Sequence, residues 1–386
     1  MKIRIDKAAL TVPLYRAQGV ISRKPMSNVL AHVHIAASED GLTFTAAEYD
    51  VTIVAEVAAD VIETGAAVVN GRSLFDIVRA LPDGATVQLS TEANNRLRIE
   101  AGRAYYYLNG MAPEEFPPNA IEDTQGRGLL CDKSHLETML KRTLFSVSQE
   151  ENRPALNGVL LEIEPDGGGA TGSSGALANQ VRIRMVSTDG TRLSKAERSM
   201  TVSDYDGQKH QWILHHRGAA ELQRIFEGAD PSARIEFIGR NVVISSDKAR
   251  VQVRQIEERF PDYTRVIPER GDASVTLATA EFMSAVRRVS SLASARGDTP
   301  LRLELEAGRM ILEMSHSDGE AHEELDLPNY SGANIKVGFN PRFLLDVCNV
   351  LGTEHVTLEL SDQFSPCLLH ADEEPGCVFV IMPMRM

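Results

Sequence analysis

The sequence runs to 386 residues, 43% hydrophobic and 24% charged, proportions that exclude a largely disordered chain. A chain of this length exceeds one ordinary core and predicts two or three domains. The net charge of −14 excludes a uniformly basic nucleic-acid binder, so any function on DNA must rest on local positive charge.

The opening MKIRIDKAAL alternates apolar and charged residues and lacks the apolar run of a signal peptide. A first helix is predicted over KAALTVPLYRAQGVIS (7–22), with Pro13 either kinking it or marking a later start. Alternating strands follow, with His32 and His34 on one face. The apolar strand AAVVN then leads into a second helix, GRSLFDIVRAL (71–81). Strands within TVQLSTEANNRLRIEAGRAYYYL close this unit, with a hairpin turn at Asn94–Asn95. A polar boundary falls near residue 125, in DTQGRG.

The same order then recurs twice, which marks a threefold internal repeat. The second unit has helices over KSHLETMLKRTLFSVS (133–148) and HRGAAELQRIF (216–226), and a turn at 239–241. Between two of its strands lies PDGGGATGSSGALANQ (165–180), whose composition reads as a flexible insertion. A second boundary falls near 270, in PERGD. The third unit has helices over AEFMSAVRRVSSLASA (280–295) and NPRFLLDVCNVL (340–351), then alternating strands to the C-terminus. The expected architecture is α+β: units 1–125, 126–270 and 271–386, each with two helices on an antiparallel sheet.

Lys and Arg outnumber Asp and Glu on the helices although the whole chain is acidic; Arg16, Arg72, Lys133, Arg142, Arg217 and Arg288 are among them. Helices facing one way would make a positive surface that attracts phosphates without sequence preference. The plainer alternative is a set of ordinary solvated helix faces. Three similar units, paired head to tail with a second copy, would close a pseudo-sixfold ring with sheets continuing across the joints.

No stretch approaches the roughly 18 successive apolar residues of a membrane helix, so no membrane partner is expected. Cys131, Cys348, Cys367 and Cys377 lack CxxC spacing and read as reduced core residues of a cytosolic protein. The pairs His32/His34 and His215/His216 raise the rival reading of a metal hydrolase, but no HExxH-type spacing accompanies them. No nucleophile elbow or phosphate loop is present either, so no catalytic residue and no cofactor are expected.

The chain resembles the bacterial beta sliding clamp family, the processivity subunit of DNA polymerase III, over its whole length. The segments that carry the resemblance are VFVIMPMRM at the C-terminus, STDGTRLSKAE (187–197), RFPDYTRVIP (259–268), LNGVLLE (156–162) and FDIVRALPDGA (75–85). It implies a non-catalytic homodimeric ring around double-stranded DNA, in the cytoplasm and associated with the nucleoid. Its implied partners are the polymerase III alpha subunit, the clamp loader delta subunit and other proteins with clamp-binding motifs. The implied peptide pocket comprises Leu156, Thr188, Gly190, Arg192, Leu193, Pro261, Arg265, Val266, Val380, Met382, Pro383, Met384 and Arg385. Implied DNA contacts are Arg23, Lys24, Arg72, Gln149 and Arg217, with a shortened loop after Arg23. At the ring junction Tyr106 and Leu108 would face Ser291 and Leu292 of a second copy. Ser291 stands where the family often has an apolar residue, which predicts a weaker dimer. A specialised paralogue, resistance-linked or plasmid-borne, fits the same resemblance.

Overall fold

The computed structural model describes residues 1–21, 27–117, 121, 128–150, 152–166, 179–269, 271–292 and 299–386. Among them six α-helices form: α1 (Lys7–Val20), α2 (Gly71–Ala80), α3 (Lys133–Thr143), α4 (His216–Phe226), α5 (Thr279–Val289) and α6 (Pro341–Leu351). None is long and apolar enough to cross a membrane.

Local chemistry sets where the helices begin. Asp6, Asp132 and Asn340 each accept the backbone N–H two residues on, at 2.8, 2.8 and 3.0 Å. A cap of this kind contributes about 1 kcal/mol. The Asp6 cap starts α1 at Lys7, so Pro13 lies buried inside the helix and the expectation of a later start is corrected. The first helices of the second and third units tighten into 3-10 turns at Leu144–Ser146 and Ser290–Leu292, earlier than apolar periodicity suggested. α6 ends where Gly352 turns left-handed at φ +63° and donates its N–H to the Cys348 carbonyl.

Helices pack in pairs, α1 on α2, α3 on α4 and α5 on α6. Leu10 and Leu14 of α1, and Leu74 and Val78 of α2, are fully buried in the core. Burying each contributes roughly 2 kcal/mol. All four cysteines are buried and unpaired, and burial pushes the thiols of Cys131 and Cys348 up to about 12.

Every strand pairing is antiparallel, and the described residues form sheets of 13, 8 and 4 strands. Two of these sheets cross from one unit to the next. Ala249–Arg254 pairs with Val51–Val57, placing Val251 opposite Ile53. Arg192–Val202 pairs with Cys377–Ile381, placing Leu193 opposite Val380. Turns form at Asn94–Asn95, where φ is 61° and 57°, and at Gly239, where φ is +57°. The strands Gly158–Pro165 and Asn179–Thr188 pair as far as Pro165 with Val181. The expected insertion is therefore narrower than 165–180; its centre, 167–178, lies outside the described residues.

Some helix charges assigned to an open surface are consumed inside the fold. Arg16, tenth residue of α1, donates at 2.9 Å to both the carbonyl and the carboxylate of Asp247, at the tip of a hairpin in the second unit. Arg142, tenth residue of α3, meets Glu374 at 2.7 Å, in a hairpin turn of the third unit. Both arginines are buried. Lys133 is buried too, its ammonium donating to the Gly228 carbonyl after the end of α4. Arg288, tenth residue of α5, is exposed and pairs with Glu323 in its own unit. The matching hairpin tip of the first unit is Gly102–Arg103, with φ +61° at the glycine.

Candidate functional site

Two separate places gather the residues of interest. The first is a cleft of about 450 Å³ between α1, α2 and α4, where Arg72 and Arg217 come together with Gln18, Arg224, Glu48 and Glu221. Arg72 and Arg217 are exposed. Arg224 is not available in the same way: it holds Glu221 with two contacts of 2.6 Å and lies over the Tyr15 ring. Burial pushes the Glu221 carboxyl above its ordinary value, against the pull of Arg224.

Burial, then the charges of His216 and Arg217, push the His215 imidazole down to about 4; burial also lowers His216. Neither ring adds positive charge at neutral pH, so the cationic character of the cleft rests on arginine. Gln149 is exposed beyond the turn that follows α3. Arg23 and Lys24 lie outside the described residues. His32 is buried with Nδ1 on the Asn28 carbonyl, and His34 packs its ring 5.6 Å from that of Phe116. No group of three metal-ligating side chains occurs among the described residues.

The second place is the joint between the second and third units. Leu193 and Val380 point away from the helices and pack with Leu160, Val186, Ile213, Leu368 and Phe260 in an apolar cluster separate from the main core. Alternation explains the separation: Ala196, Phe379 and Ile381, of opposite parity, face the helices. Over this cluster runs the segment carrying Pro261, Arg265 and Val266. Asp262 caps its short turn and pairs with Arg265 at 2.9 Å, and the Tyr263 hydroxyl donates to Glu162 at 2.7 Å.

Above the joint, the turn from Thr188 to Arg192 is tightly held. The Asp189 carboxylate accepts the N–H groups of Thr191 and Arg192 at 2.9 and 3.0 Å, and Thr188 donates to the Arg192 carbonyl at 2.6 Å. Gly190 sits at φ +91°, a conformation that favours glycine. Leu156 is half-buried in a 3-10 turn. The C-terminal tail is tied on both sides of Pro383: Met382 N–H donates to the Thr191 carbonyl and Met384 N–H to the Gly338 carbonyl, each at 2.8 Å. Arg385 is exposed.

Three large apolar side chains of these segments are left in solvent: Val266 is 42% exposed, Met382 37% and Phe364 78%. Reading the sequence did not single out Phe364. Its signal is an isolated aromatic in the polar turn SDQFSP, and the pairing of Cys367 with Ile381 brings that turn to the tail's end of the sheet.

A third feature concerns sheet edges. Ala104–Met111 pairs along Arg96–Ala101, but among the described residues its other side meets a strand only at Gly110 and Met111. Tyr106 on this strand is partly exposed, and Leu108 packs against the core. Gly319–Leu327 pairs only with Gly308–His316 among the described residues. The turn holding Ser291 and Leu292 packs on these last two strands.

Comparison with known proteins returns one family along the whole length. Descriptions of the DNA polymerase III beta subunit match in order: its N-terminal domain over residues 1–121, its central domain over 131–262 and its C-terminal domain over 264–385. The beta sliding clamp of Caulobacter vibrioides is 31% identical over 388 residues, covering all of both chains. That of Pseudomonas aeruginosa is 30% identical over 390 residues, again covering all of both. Among solved structures, a DNA polymerase sliding clamp from Caulobacter crescentus superposes with a TM-score of 0.85 at 30% identity, over 100% of each chain.

Proposed function

This chain belongs to the beta sliding clamp family, and on that premise we propose that two copies close head to tail around duplex DNA. Its function is that of the family, a sliding clamp in DNA replication. The observation that supports closure is the pair of open edges at opposite ends of a chain whose sheets already run across both internal joints. Pairing Ala104–Met111 of one copy with Gly319–Leu327 of the other would cover both edges, with Tyr106 and Leu108 against Ser291 and Leu292.

Arg72 and Arg217 contact phosphates in this reading, and the family resemblance adds Gln149, Arg23 and Lys24 as further DNA contacts. Contacts of this kind carry no sequence information, so retention is topological and not a matter of affinity. The apolar cluster at the second joint, its rim of Val266, Met382 and Pro383, and the turn at Gly190 take the apolar anchor of a partner's peptide. Methionines at 382 and 384 suit a surface that refits several ligands. The partners are the polymerase alpha subunit, the clamp loader delta subunit and other proteins bearing the same short motif. The clamp itself performs no catalysis and acts in the cytoplasm on the nucleoid. Its units divide near residues 125 and 270.

Loading on a nicked circular plasmid tests this reading. Labelled protein loaded by the clamp loader should co-elute with the circle through salt and fall off once a restriction enzyme cuts it. Equal retention on the circle and on the cut DNA would overturn enclosure.

A further inference from the structure

Arg192 belongs by position to the peptide site, yet its guanidinium is turned to the helix side of the sheet. The side chain is 13% exposed. Its Nε donates to Asp189 at 2.9 Å, one terminal nitrogen donates to Asp346 on α6 at 2.7 Å, and the other donates to the Phe145 carbonyl after α3 at 2.7 Å. The guanidinium carbon also lies over two rings, 4.4 Å from the centre of Phe343 and 5.2 Å from that of Phe145. These partners come from both units that the joint connects: Phe145 and Asp189 from the second, Phe343 and Asp346 from the third. Leu193, the next residue, points the other way into the apolar cluster.

We propose that Arg192 is a positioning residue that fixes the second and third units against each other through Asp346, and so sets the width of the peptide site, without itself binding the peptide. This rests on reading the apolar joint as that site. A peptide using Arg192 as a ligand would have to break charge-assisted bonds that are largely withdrawn from water. Lysine would not substitute, because a point charge on a flexible stem cannot reproduce the planar fork that meets three acceptors and lies over two rings. Asp346 is the informative partner, since it sits on α6, on the helix side of the sheet, and keeps nearly half its side chain in solvent. Changing it leaves the apolar cluster intact.

A double-mutant cycle on the full dimer decides the matter, read by fluorescence anisotropy of a labelled peptide carrying the C-terminal clamp-binding segment of the polymerase alpha subunit. Asp346→Asn and Arg192→Ala should each weaken binding about tenfold, and the double variant no more than either alone, as for residues acting as one unit. Exchanging the pair (Arg192→Asp with Asp346→Arg) should recover part of the loss. Unchanged affinity in Asp346→Asn with a large loss in Arg192→Ala would overturn the proposal and make Arg192 a ligand. Absence of binding to the unaltered dimer would instead overturn the peptide-site reading beneath it.

Discussion

The two joints inside this chain are built to one plan and finished differently. At each, the last strand of one unit pairs with a strand of the unit before it, and an arginine from the tenth position of a helix reaches into a hairpin tip across the joint. The outward faces part company. At the first joint the outward pairs are Thr52 with Gln252 and Val54 with Arg250. At the second they are Leu193 with Val380 and Lys195 with Val378, under the Phe260 segment. The shared parts hold units together, whereas the outward residues decide whether a joint also offers an apolar site. Repetition of the fold therefore does not repeat the function.

The largest expected effect tests the shared part. Arg16→Ala and Arg142→Ala should each destabilise the chain by about 3 kcal/mol, because each removes one member of a mostly buried pair. Urea unfolding followed by circular dichroism measures this, and a loss confined to one variant would break the equivalence of the joints. Next comes the difference between them. Leu193→Thr with Val380→Gln, copying the first joint onto the second, should weaken binding of the alpha-subunit peptide at least tenfold while leaving the dimer intact by sedimentation. Loss of the dimer along with peptide binding would show that the outward face serves the scaffold as well.

The smallest effect is one of pH. Hydrogen bonding from Arg142, then the charges of Arg142 and Arg198, hold the Glu374 carboxyl below its ordinary value of 4.5. A depressed folded value adds stability above the unfolded one, and that stability is lost as pH falls below about 4.5. The melting temperature should decline through that acid range less steeply in Glu374→Gln than in the unaltered protein. Parallel curves would show that this contact is not what acid undoes.

Much of this was readable in the sequence, for identifiable reasons. The six helices and the threefold order follow from local periodicity, and the start of α4 at His216 agrees with the reading. The fate of the charges was not readable. Arg16 looks like any solvated helix residue until Asp247, more than two hundred positions away, closes over it. Arg192 carries the same lesson: its motif gives a position, but Asp346 and Phe343, brought in by a different unit, help determine which way it points. Phe364 lay in a turn too short and polar to register as apolar.

Arg288 occupies the tenth position of its helix, as Arg16 and Arg142 do, but spends its charge on Glu323 at home. The hairpin tip that a second copy would present to it ends in Gly102–Arg103, with no carboxylate to receive it. In the proposed ring each subunit thus has two riveted internal joints, and the copies meet at two unriveted seams. A ring kept on DNA by enclosure stays for as long as its weakest joint stays shut, so the dwell time of this clamp would be set at the seam between copies. A machine that opens the ring would need to pry only there.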